Sequence, residues 1–316
     1  MAKAIFARTP GDEREQVEAT RSTISFDTTW GVIALLSLIA LGMLAPAGLW
    51  LLVFLGVIIL VHEAGHFFVA KASGMQPTEF FWGFGPEIIA VQRGDLRVGL
   101  KAVFIGGYVK IPGMTPSEVV APEFDEARTY RAASHTGRLL TILAGPATNL
   151  ICAVGAFAVA AKMGGHSLVG SFGVAFEYIY IVVEGTAQAL WTWVTGIGGY
   201  LGATVDGSQP PVRFLSPISQ AEITSDAIDA GLSQALIWFG ILSCAIGGIN
   251  LLPLPPLDGS HAVMAIAEWF TQIVRRDRSI RFDLKRLEPL AYATLFALAI
   301  LSVSALVMDI RGVPLS

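Results

Sequence analysis

The chain has 316 residues, 53% of them hydrophobic and only 15% charged, where an ordinary soluble domain carries roughly 25% charged residues. With a mean hydropathy of +0.62, this composition excludes a simple soluble globule and indicates a membrane protein. The net charge of −4 offers no basic footprint for nucleic acid.

Residues 1–28 mix Arg8, Arg14 and Arg21 with Asp12, Glu13, Glu15 and Glu18. The stretch is too acidic for a positively charged leader and reads as a polar N-terminal tail. Trp30 to Leu44 is apolar or small and, carried on to Ala47, is nearly long enough to span a bilayer before Ala45-Pro46-Ala47-Gly48 breaks it. Leu49 to Lys71 is a second span, and near its far end stands His62-Glu63-Ala64-Gly65-His66. On a helix, residues four apart lie about 40° apart around the axis, so both imidazoles can reach one metal ion. Glu63 lies about 60° from His66, close enough to handle a water at the metal without ligating it. The alternative is a polar helix end that snorkels to the interface. A glutamate is, however, a costly residue to bury in hydrocarbon unless it works there.

Residues 80 to 112 lose the helical pattern. Trp82-Gly83-Phe84-Gly85-Pro86 precedes an Ile- and Val-rich stretch from Glu87 to Gln92, and Arg93-Gly94-Asp95 is a turn signal. Leu96 to Lys101 alternates, and Val103 to Ile111 reads as a further short strand bent at Gly106-Gly107. These features predict a small β-hairpin or sheet, either cytoplasmic or re-entrant against the active site.

Leu139 to Ala161 is a third span. Phe176 to Leu201 is aromatic and interrupted by Glu177 and Glu184, which favours an amphipathic helix on the outer surface over a further crossing. Gly231 to Leu252 is a fourth span and Pro289 to Met308 a fifth. Cys152 and Cys244 lie in apolar runs and read as buried packing residues. Lys and Arg are frequent in 71–138 and 271–288 but reduced to Lys162 and Arg213 in 162–230. The positive-inside tendency therefore puts the N-terminus and the histidine motif toward the cytoplasm and 162–230 outside. The expected fold is a mainly α membrane protein, a bundle of about five transmembrane helices with a small re-entrant β-hairpin. The expected divisions are the tail 1–28, helices and β-loop over 29–161, an external segment 162–230, and C-terminal helices over 231–316.

A second constellation closes the fourth span. Asn250-Leu251-Leu252-Pro253-Leu254-Pro255-Pro256-Leu257-Asp258-Gly259 cannot continue a helix, so Asp258 sits at a break in an apolar stretch. A carboxylate there is costly unless paired or bound to a metal. His62, His66 and Asp258 would make a three-ligand site with a fourth position open, the arrangement of catalytic zinc. Asp258 could instead cap a helix starting near Ser260.

With both constellations in view, the chain resembles the site-2 proteases, zinc intramembrane metalloproteases that cleave transmembrane segments. The resemblance rests on His62 to His66, on Asn250 to Gly259, and on Ala144-Gly145-Pro146-Ala147-Thr148-Asn149. It also rests on Trp82-Gly83-Phe84-Gly85 and Gly106-Gly107-Tyr108-Val109-Lys110, which look like the family's re-entrant β-loop. It runs from about Val61 to Val307 and is nearest to bacterial members that carry PDZ domains, although 162–230 leaves no room for such a domain. The resemblance implies one zinc per chain held by His62, His66 and Asp258, with Glu63 as catalytic base and Asn250 holding the substrate backbone. Gly106, Gly107, Tyr108 and Asn149 are further candidates for substrate contact. The implied partners are the bilayer and transmembrane protein substrates, such as anti-sigma factors or signal-peptide remnants, in the bacterial cytoplasmic membrane. The rival readings are an ion-coupled transporter built on the buried His and Asp residues and an inactive scaffold.

Overall fold

The computed structural model describes residues 23–114, 118–122, 124–210, 212–277 and 280–313. Most of the predicted polar tail, and Arg278 of the basic 271–288 stretch, lie outside them. The first helix, α1 (Thr28–Leu44), begins where the Asp27 side chain accepts from the Trp30 amide. Pro46 ends it and opens α2 (Pro46–Ala72), 27 residues long, at the position where a missing N–H costs nothing. The histidine motif, His62 to His66, lies in the second half of α2.

A three-stranded sheet follows α2 in sequence, with β1 (Thr23–Phe26) contributed from ahead of α1. β2 (Glu79–Arg93) and β3 (Leu96–Lys110) are antiparallel and turn at Gly94-Asp95. β1 pairs with β2 opposite Ile89 to Gln92. Both long strands bend, so that Phe80 lies opposite Val98 and also opposite Val109. The expected strands were shorter: β2 runs through Trp82 to Pro86, because Gly83 and Gly85 take positive φ values of 92° and 80° and bend the strand without ending it. Among the described pairings, Gly107–Lys110 meets only residues 79–82 and leaves its other side as an edge.

The sheet lies along α2. Trp82 packs on Gly56, Gly107 on Ile59 and Glu63, and Phe80 on Phe67 with ring centroids 5.4 Å apart. Gly56 to Phe67 is about 16 Å of helix at ~1.5 Å per residue, so the sheet follows an apolar helix well away from its end.

The centre of the bundle is α3 (His135–Met163), which packs against α2, α4 (Leu168–Thr195), α7 (Leu232–Asn250) and α8 (Asp258–Arg275). Small residues allow close approach. A side chain at Gly65 would strike the Ala144 carbonyl and Thr148, and one at Gly247 would strike Asn149. Two short helices, α5 (Ile197–Asp206) and α6 (Pro217–Asp229), connect α4 to α7, and α9 (Glu288–Ile310) ends the described chain. Among the described residues, 162–230 contains helices and no strand.

Among the described residues, five helices are long and apolar enough to cross a membrane: α2, α3, α4, α7 and α9 with its preceding turn. The number matches the expectation but the membership differs. α1 has 17 residues, about 26 Å against a hydrocarbon core of about 30 Å. α4, where an interfacial helix was favoured, has 28 residues and starts eight residues earlier than the aromatic run. Gly196 ends it before the expected boundary at Leu201. Large apolar side chains such as Leu36, Phe176, Trp191 and Phe296 are exposed on the outer faces of these helices, as lipid contact requires. Cys244 is fully buried as expected, whereas Cys152 is only half-buried because its side of α3 turns outward.

Candidate metal centre

One turn of α2 brings His62 and His66 together, with Nε2 of one 3.1 Å from Nε2 of the other. Asp258 reaches them from the far end of the sequence: its Oδ2 is 3.0 Å from His62 Nε2 and 3.4 Å from His66 Nε2. The three donor atoms lie within 4.8 Å of one another, the one such cluster among the described residues. The proline-rich turn after Asn250 ends α7 and starts α8 at Asp258. Gly259 makes that turn possible, since a Cβ there would collide with the Leu251 and Leu252 carbonyl oxygens. Asp258 does not cap α8; the capping position is Leu257, whose side chain makes no capping bond. The carboxylate is therefore free to face the histidines.

The donors fit a metal ion by more than proximity. A Cβ on Gly145 would clash with His66 Nε2 and lie 2.6 Å from His62 Nε2 and 2.7 Å from His66 Cε1. Glycine at this position gives the two imidazole nitrogens room against α3, and the Asp258 carboxylate beside them completes a set of two imidazoles and a carboxylate, typical of catalytic zinc. Behind the imidazoles, α3 supplies partners for the ring atoms that point away. The Thr141 carbonyl oxygen is 2.7 Å from His66 Nδ1, and the Asn149 side chain is 3.2 Å from His62 Nδ1. Pro146 sits between these two positions, lacks an N–H and disturbs the local helical ladder. The Thr148 hydroxyl is within 3.2 Å of the Val61 carbonyl and ties α3 to the turn before His62.

A buried polar strut fixes the direction of α8, and with it Asp258. Arg138 of α3 pairs with Glu268 of α8 at 2.8 Å, the two side chains 5% and 6% exposed. Arg281 adds a second cation to Glu268 at 3.1 Å, and His135 bonds Gln272 at 2.9 Å.

Glu63 is half-buried and turns toward β3. Its Cγ would be 3.2 Å from a Cβ at Gly107, and the Val109 amide reaches its carboxylate. The sheet edge Gly107–Lys110 thus runs beside the metal cluster. Gly106 has φ of 112° with the Phe84 ring over it, and Tyr108 stacks between Phe81 and Phe84 while its hydroxyl donates to Glu79 at 2.6 Å. Asn250 is the last residue of α7, and its Nδ2 donates to the Ile246 carbonyl of its own helix at 3.1 Å. Asn149, grouped by sequence with possible substrate contacts, is 0% exposed and lies behind His62. Thr141 was not singled out by sequence, and Gly145 was noted only as part of the Ala144 to Asn149 motif, with no role given to it. A Gly-Pro pair inside a membrane helix was the available signal, but it does not say which face meets the histidines.

A family model described as Peptidase family M50 matches residues 50–283. The zinc metalloprotease Rip1 of Mycobacterium tuberculosis is 40% identical over 105 residues, 33% of this chain and 26% of its own length. Rip1 of Mycolicibacterium smegmatis is 37% identical over 95 residues, 29% of this chain and 23% of its own. The match thus spans about a quarter of these relatives. A Rhizobium meliloti protein, named provisionally as a zinc metalloprotease, is 25% identical over 71% of this chain and 86% of its own length. The relatives' names give the metal as zinc, in agreement with the donor set. The family match takes in all three donors and the helix that backs them, and the chain belongs to peptidase family M50, the site-2 protease family.

Proposed function

We propose that this chain is a zinc-dependent endopeptidase that hydrolyses peptide bonds within or next to transmembrane segments of membrane proteins. The observation that carries the reading is the meeting of three features beside one membrane-length helix: the donor cluster, the Glu63 carboxylate and an unpaired strand edge. His62, His66 and Asp258 would hold zinc, which when bound supplies Lewis-acid activation of water and of the scissile carbonyl. Glu63 takes the proton of the attacking water on its carboxylate and delivers it to the leaving amide nitrogen.

The substrate's difficulty is its helix. A peptide bond in a membrane helix is hydrogen-bonded and hidden, and freeing backbone groups in lipid costs several kcal/mol each. The Gly107–Lys110 edge offers backbone donors and acceptors to an unwound segment by strand addition. Gly106 and Gly107 keep the start of that edge free of side chains, Tyr108 stiffens it through Glu79, and Asn250 holds the extended backbone from the other side once it releases Ile246. Anti-sigma factors and signal-peptide remnants, in the bacterial cytoplasmic membrane with the metal motif toward the cytoplasm, are the substrate classes that suit such a site.

The test is cleavage of a model single-span protein by the purified chain in lipid, beside Glu63→Gln. Zinc-replete Glu63→Gln protein should be inactive. Activity close to wild type in that variant would overturn the assignment of the base.

A further inference from the structure

Asn149 is buried without exposure directly behind a metal donor. Its Nδ2 lies 3.2 Å from His62 Nδ1, and its Oδ1 has no hydrogen-bond partner. His62 presents Nε2 to the cluster. For Nε2 to offer a lone pair to a metal, the ring proton must sit on Nδ1. An amide NH2 group would then oppose an N–H donor in a site that water does not reach. Turning the carboxamide end for end leaves its shape unchanged and brings Oδ1 to Nδ1 as an acceptor. Either orientation leaves the far end of the amide without a partner, but only the turned one pairs the ring proton. His66 already has the equivalent arrangement, since the Thr141 carbonyl, which can only accept, faces its Nδ1 at 2.7 Å.

We propose that Asn149 is a positioning residue: its Oδ1 accepts from His62 Nδ1–H and fixes His62 in the metal-binding tautomer, and it makes no contact with substrate. The inference rests on the reading of His62 as a zinc ligand. Full burial argues against substrate contact, because no peptide can touch the side chain while α2, α3 and α7 stay packed around it. Gly247 of α7 covers it, a Cβ there lying 3.0 Å from Asn149 Cβ.

The test is zinc affinity of the purified full chain, measured by chelator competition in detergent, for wild type, Asn149→Leu, Asn149→Ser and Asn149→Asp. Loss of such a partner typically weakens metal binding about 10–100-fold. Asn149→Leu and Asn149→Ser, one without an acceptor and one too short, should show that loss while circular dichroism of the zinc-free protein is unchanged. Asn149→Asp, which restores an acceptor of the same length, should bind zinc at least as tightly as wild type. Wild-type affinity in Asn149→Leu or Asn149→Ser would overturn the proposal, as would an Asn149→Asp variant that binds no better than they do. Should the leucine not fold, serine against aspartate decides alone. His66→Ala separates the two readings: if it too keeps wild-type zinc affinity, the metal site itself is wrong, whereas loss of zinc there with none in Asn149→Ser refutes only the role of Asn149.

Discussion

Gly145→Ala is the smallest change that should empty the metal site without touching a ligand. The added Cβ would lie 2.6 Å from His62 Nε2 and closer still to His66 Nε2. Comfortable heavy-atom contact begins near ~3.5 Å, so both imidazoles must retreat, His62 by about 0.9 Å and His66 by more. Metal sites tolerate displacements of about 0.2 Å. Disturbing a mere supporting partner costs about 10–100-fold, and this change displaces the donors themselves. A loss of at least about 100-fold, ~2.8 kcal/mol at 1.4 kcal/mol per decade, is therefore expected. The metal-free fold should not suffer, since Ala exceeds Gly in helix propensity by about 1 kcal/mol. Zinc content by elemental analysis, chelator competition, and thermal unfolding with chelator present would measure both sides. Stoichiometric zinc at wild-type affinity in Gly145→Ala would show that the two imidazoles do not need the room Gly145 leaves them, and the reading of the cradle would fail.

Three further outcomes are expected. Val109→Pro removes the amide that reaches Glu63; it should cut cleavage of an intact transmembrane helix at least ~10-fold more than cleavage of a short extended peptide, and equal losses on both substrates would refute strand addition. Arg138→Ala takes the buried cation from Glu268 and leaves it the half-exposed Arg281 and two neutral donors, the Phe282 amide and Gln272; denaturant unfolding should register a loss of about 3 kcal/mol, and a change under ~1 kcal/mol would mean the strut does not hold α8. Asp95→Cys, on the exposed β2–β3 turn, should resist a membrane-impermeant thiol reagent in intact cells and react after lysis, whereas labelling in intact cells would reverse the proposed orientation.

The parts of the fold that were legible in the sequence are those where one residue type has few uses. His62, His66 and Asp258 were readable because imidazoles one turn apart and a carboxylate after three prolines are both expensive in an apolar chain unless they share a ligand. The helices α2, α3 and α7 were readable from length and hydropathy alone. The rest depended on contacts between distant segments. β2 was cut short because Gly83, Gly85 and Pro86 look like punctuation, yet in the sheet the two glycines supply bends through positive φ. α4 was divided from its beginning because Ser167, which caps it, and the glycines near 170 and 173 blur the onset of the apolar run. Gly145 and Thr141 act through the absence of a side chain and through a backbone oxygen, and neither leaves a mark in composition or period. Asn149 was recognised as notable, but only the packing of α3 against α2 reveals that it lies behind His62 instead of in the open site.

The measurement that bears most directly on the central claim is the position of the cut. A single-span model substrate would be reconstituted with the wild-type protein in liposomes and the products mapped by mass spectrometry, with and without a zinc chelator. New termini inside or at the border of the apolar segment, lost with chelator and regained with added zinc, are the predicted result. Cleavage confined to the soluble tails, or cuts that persist unchanged without zinc, would contradict the account.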